Sequence, residues 1–216
     1  MHKEKTVFKV TIIGAIVSTI LFRGFILLIG KIISDLQIER LIFDIDFRFL
    51  IFSIIELIGI LVFFYIINKQ LLIPKSTNFV YYILAIVLAV IYVFSHKYLN
   101  WFYDFIFTTD YFHKMKPGFK VPIHTNLLIA RVFLIPISEE LFFRKFIQKG
   151  LQDYYNGYIA IIISCLLFTI VHLSDFHNMF LIFFGALISS ILYYKSNSII
   201  PSILFHISWN LFVLIL

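Results

Sequence analysis

Three short clusters in the C-terminal part of the 216-residue chain combine residue types able to do acid–base chemistry. The first is Pro136-Ile137-Ser138-Glu139-Glu140-Leu141-Phe142-Phe143-Arg144, the second Phe168-Thr169-Ile170-Val171-His172, and the third His206-Ile207-Ser208-Trp209-Asn210. On a helix, Glu140 and Arg144 lie four apart and share a face, so the guanidinium can neutralise and fix that carboxylate. Glu139 is rotated by about 100° from its neighbour and can face a different cavity. Two adjacent acids in low dielectric do not both ionise freely. Arg144 therefore assigns the structural charge to Glu140 and leaves Glu139 as the candidate acid/base group. His206 and Asn210 are also four apart and project to one side of a helix. His172 alone says little, since a single His near a helix end is commonly a polar terminus. His177, between Asp175 and Asn178, reads as a loop residue.

Together these groups match the needs of peptide-bond hydrolysis: an activated water, a proton donor for the leaving amine, and donors for the developing oxyanion. A Glu and a His sharing one water can supply the first two, and a second His with an Asn amide the third. A metal version uses the same atoms, with His172, His206 and Glu139 as zinc ligands and water at the fourth position. The chain has no H-E-x-x-H pair, and the ion-paired acid cluster favours metal-free glutamate catalysis, with zinc as the alternative. The bland readings are a Glu/Arg helix end among headgroups and a His–Asn pair that only joins helices, worth ~0.6–2 kcal/mol.

The elements that must position these residues are membrane helices. The chain is 61% hydrophobic and 14% charged, with a mean hydropathy of +0.98. A soluble domain is nearer half apolar and about a quarter charged, and needs a solvated surface that this composition does not supply. A helix crosses a bilayer with ~20 apolar residues. Apolar runs near Val7–Gly30, Phe49–Ile67, Phe79–Phe94, Asn126–Ile147, Tyr158–His172, Met179–Tyr194 and Ile199–Leu216 predict seven spans. The stretch Lys31–Arg48 reads as an interfacial connection. The break Lys97–His124, rich in aromatics, reads as lying along the interface, with room for an eighth, re-entrant piece. The fold class expected is all-α: a polytopic transmembrane bundle of about seven to eight helices, with leading helices over 1–125 and a catalytic four-helix core over 126–216.

The N-terminal MHKEKTVFKV leads into an apolar run without a small-residue cleavage site, so it reads as a first span rather than a removed signal. Counting Lys and Arg in alternate loops favours the N-terminus inside. The 18 Lys and Arg give a net +6 but are scattered, which argues against nucleic acid and for contact with anionic membrane lipid. Cys165, the single cysteine, excludes a disulfide framework and a Cys-based metal site.

At the three clusters the chain resembles the CPBP family, the group of CAAX prenyl endopeptidases and of bacteriocin-processing and bacteriocin-immunity proteins. The resemblance rests on E-E-x-x-x-R, F-x-x-x-H and H-x-x-x-N in this order, each on its own apolar helix. The stretch from Phe184-Gly185-Ala186 through Tyr193–Pro201 is also similar, and the likeness covers Asn126 to Leu216. It implies that Glu139 and His172 activate water, that His206 and Asn210 hold the oxyanion, and that Glu140 and Arg144 support them. Lys145 departs from the small residue that more often follows the Arg, with consequences for packing or substrate access.

The implied activity is cleavage of a membrane-embedded or lipid-modified peptide by an integral protein of, by resemblance, a bacterial cell membrane. The alternative is a non-catalytic scaffold or self-immunity protein using the same polar core. The presence of every candidate catalytic group argues for activity. A small transporter fits less well, because inverted repeats and Gly/Pro-broken helices in both halves are lacking. Substrate and oligomeric state have no signature in the sequence.

Overall fold

The computed structural model of the chain describes residues 10–35, 45–68, 75–107, 125–172 and 178–215. Among these residues there are seven helices and no strand. They are α1 (Ile12–Asp35), α2 (Ile45–Asn68), α3 (Val80–Phe107), α4 (125–152), α5 (Gly157–Val171), α6 (Met179–Ser196) and α7 (Ile199–Ile215). Each of the seven apolar runs read from the sequence falls on one of them. Three stretches, Ile12–Ile32, Phe47–Ile67 and Met179–Ser196, are long and apolar enough to cross a bilayer. The fold is an all-α membrane bundle, and the protein is integral to the membrane.

Several boundaries differ from the sequence reading: α1 runs on to Asp35 and α2 begins at Ile45, so both ends of the connection expected over Lys31–Arg48 are helical, and its middle, 36–44, lies outside the described residues. Helix α3 does not stop near Phe94 but runs on to Phe107, because Lys97, Asn100 and Asp104 lower the hydropathy without breaking helical geometry. The postulated interfacial break thus begins as helix, and its remainder, 108–124, lies outside the described residues, as do His177 and Asp175. Helix α4 is continuous but π-wound at Ile129–Leu134 and Leu141–Gln148. The first wide segment ends two residues before Pro136, which has no N–H to give to the carbonyl four residues back and whose ring crowds that carbonyl. The α-helical turn Ile135–Glu140, carrying both acids, sits between the two wide segments.

Packing divides the interior into two apolar clusters. One joins α1, α2, α4, α5 and α6 through Phe64, Phe142, Phe143, Phe146 and Phe168, with Phe22 of α1 stacked on Phe142 at 4.1 Å. The other joins α3, α6 and α7 through Ala85, Ala89, Tyr92, Leu181, Leu192 and Phe205. The small alanines let α3 approach α7 closely, and the Tyr92 hydroxyl donates to the Leu181 carbonyl. The outward faces carry Ile13, Ile20, Ile66, Tyr98 and Phe105, all more than half exposed, as a lipid-facing surface requires.

Helix ends follow local rules. Asn156 Oδ1 accepts from Tyr158 N at 2.8 Å and caps α5. Between α6 and α7, Asn197 adopts φ 53°, a left-handed conformation that Asn tolerates better than most residues. Thr77 Oγ1 donates to Ser196 O at 3.0 Å and Ser198 Oγ to Lys75 O at 2.6 Å, which ties the segment before α3 to this turn. Pro201 follows within the first turn of α7, where a missing N–H is tolerated.

Candidate active site

The buried polar groups of the C-terminal half converge where α4, α5, α6 and α7 meet. Glu140 is 1% exposed and accepts from four donors on three helices. Arg144 Nε lies 3.1 Å from Oε2, Ser189 Oγ of α6 donates to Oε2 at 2.7 Å, and Ser202 Oγ of α7 donates to it as well. His206 Nδ1 lies 3.1 Å from Oε1. Arg144, fully buried, is held in turn by Ser164 Oγ at 3.1 Å and by the Phe168 ring, 5.2 Å from its guanidinium carbon. A carboxylate this buried is stable only with charge and hydrogen bonds of this density. Glu140 therefore serves as the anchor of the core and is closed to substrate.

Glu139 points the other way, as the 100° helical offset requires. At 14% exposure it lines a cavity of about 460 Å³ together with His172, His206, Trp209, Asn210 and Arg131. Its Oε1 lies 3.4 Å from His172 Nε2 and its Oε2 3.8 Å from His206 Nε2. The first separation is at the long end of hydrogen bonding and the second lies beyond it, so the two imidazoles and the carboxylate are gathered at one end of the cavity.

The two imidazoles are oriented by what their other nitrogens bind. His172 Nδ1 lies 2.8 Å from Phe168 O; a carbonyl only accepts, so Nδ1 carries a proton and Nε2 is turned to the cavity and to Glu139. His206 Nδ1 donates to the Glu140 carboxylate, which again turns Nε2 inward. Asn210 Nδ2 donates to Arg131 O at 2.9 Å, which fixes the amide at the cavity wall with one N–H still to give. Trp209 stacks on His206 with centroids 5.5 Å apart. It rests against Gly185, where a Cβ would come within 2.6 Å of the indole.

All four residues expected to do chemistry, Glu139, His172, His206 and Asn210, thus line one cavity, and both supporting residues, Glu140 and Arg144, lie beneath it. Lys145 is buried at the packed face of α4. Among the described residues, no group of three His, Cys, Asp or Glu side chains closes into a metal-binding cluster. The sequence reading missed the serines Ser164, Ser189 and Ser202, which carry no signal in an apolar helix. It also missed Glu56 of α2, 2% exposed, with Oε1 2.5 Å from Ser138 Oγ. A lone carboxylate in the middle of the second span was signal enough to find that one.

Residues 122–212 match the family model described as Rce1-like, type II CAAX prenyl endopeptidase. No curated relative and no solved structure matches the chain.

Proposed function

We propose, from the premise that the chain through residues 122–212 belongs to the Rce1-like family of type II CAAX prenyl endopeptidases, that it is an intramembrane endopeptidase in which Glu139 and His172 activate water. The observation that carries this is the convergence of Glu139, His172 and His206 on one cavity, with facing atoms 3.4 and 3.8 Å apart. One water in the cavity beside this pair can donate to Glu139 and, with His172 neutral, to its Nε2 lone pair at once. Glu139 takes a proton from the water, whose oxygen bonds to the scissile carbonyl carbon. The proton then passes to the amine nitrogen as the C–N bond breaks. A His206 protonated at Nε2 and the second amide N–H of Asn210 receive the oxyanion. The cavity lies within a bundle of membrane helices and is lined by Ile135, Phe168, Ile182 and Leu214 beside its polar groups, which suits a membrane-embedded or lipid-modified peptide as substrate.

The Glu139 carboxylate and the two Nε2 atoms are also donors of the type zinc accepts. Metal content and chelator sensitivity of the detergent-solubilised protein, followed with a fluorogenic lipid-modified peptide, separate the two chemistries. Chelator-resistant cleavage, lost in Glu139→Gln and His172→Ala while both variants insert and fold, is the expected result. Stoichiometric zinc that disappears in Glu139→Gln would make Glu139 a ligand and overturn the metal-free mechanism.

A further inference from the structure

Glu56 is the one buried acid near the site for which the mechanism above has no use. It sits on α2, outside the segment that matches the family, in a run apolar enough to cross the bilayer. Among the described residues it forms no ion pair. The charged and titratable groups that act on it electrostatically are Arg23 from α1, Glu139 from α4 and His172 from α5. An ionised carboxylate in such a place, with another carboxylate close by, is strongly disfavoured unless it is fully paired.

Ser138 Oγ, fully buried, lies 2.5 Å from Glu56 Oε1 and 2.9 Å from the Ile135 carbonyl oxygen. A hydroxyl has one proton, and a carbonyl oxygen can only accept. One proton shared between both acceptors makes two weak bonds, whereas both contacts are fully satisfied when Ser138 gives its proton to Ile135 O and a protonated Glu56 donates to Ser138 Oγ. The alternative, with Ser138 donating to an ionised Glu56, leaves that carboxylate with one hydroxyl donor, against four donors for Glu140.

We propose that Glu56 is a positioning residue, a neutral carboxylic acid that donates to Ser138 Oγ and fixes the turn carrying Glu139. The linkage is direct, because Ser138 precedes Glu139 in the turn Ile135–Glu140, between the two π-wound segments where the backbone ladder is least regular. In this arrangement α2 sets the geometry of a reaction carried out on the C-terminal helices. The proposal rests on the peptidase reading for its kinetic part and stands apart from it for the state of Glu56.

The test combines infrared spectroscopy with kinetics on the full-length protein in detergent. The wild type at pH 7 shows the C=O stretch of a protonated carboxylic acid, and Glu56→Gln removes it. Gln keeps a neutral donor for Ser138, so Glu56→Gln retains kcat and an unchanged pH profile. Glu56→Leu, which cannot donate, lowers kcat by about 10- to 100-fold, the scale of a misplaced catalytic group, with KM within about 2-fold. Ser138→Ala produces the same split to a smaller degree, and serves if the Leu variant does not fold. The proposal is overturned if the band is absent from the wild type or survives in Glu56→Gln. It is equally overturned if Glu56→Gln is as inactive as Glu139→Gln, or if Glu56→Leu and Ser138→Ala cleave at the wild-type rate. A wild type that cleaves nothing removes the peptidase reading and with it the kinetic role of Glu56, while the band still decides its protonation.

Discussion

Replacing Arg144 with Met keeps the volume and apolar stem of a fully buried side chain and removes its charge and donors. Glu140, 1% exposed, then loses its Nε partner at 3.1 Å and retains Ser189, Ser202 and His206. Ser164 loses the Nη1 contact at 3.1 Å, and the Phe168 face loses a cation. Removing one partner of a buried ion pair costs about 3–5 kcal/mol, because the other charge is left uncompensated. In a chain of this size each kcal/mol lowers the melting temperature by about 2–4 °C, so the shift is about 6–20 °C. Thermal unfolding in detergent, followed by intrinsic tryptophan fluorescence, measures it. The double variant Glu140→Gln/Arg144→Met removes the stranded charge and recovers a large part of the loss, with a coupling of about 1–3 kcal/mol. A single variant that melts within about 2 °C of the wild type, or a double variant no more stable than the single, refutes the view of Glu140 as a charge held by Arg144.

Two further outcomes follow from the cavity. Asn210→Ala removes one oxyanion donor and lowers kcat by about 10²–10³-fold, with the melting temperature little changed; a kcat within about 3-fold of the wild type removes Asn210 from the mechanism. Gly185→Ala places a methyl group where the Trp209 ring stands, 2.6 Å away. It costs about 1–3 kcal/mol of stability by overpacking and shifts Trp209 fluorescence as the indole leaves His206, whereas an unshifted spectrum with normal stability shows that the contact yields without displacement.

The sequence determined what depends on local periodicity and composition. The seven apolar runs, the Glu140–Arg144 pairing four residues apart, the opposed directions of Glu139 and Glu140, and the shared face of His206 and Asn210 follow from a repeat of 3.6 residues within single helices. What required the tertiary structure lies between helices. Ser138 and Glu56 are separated by 82 residues, Ser189 and Glu140 by 49, Ser202 and Glu140 by 62. Serine is small and nearly silent in hydropathy, so whether it faces lipid, a neighbouring helix or a buried carboxylate depends on how each helix is rotated about its axis. Those rotations are set by side-chain packing across the bundle, as where Trp209 fills the space that Gly185 leaves open. They likewise decide that Glu139 meets two imidazoles and that Glu56 meets a hydroxyl.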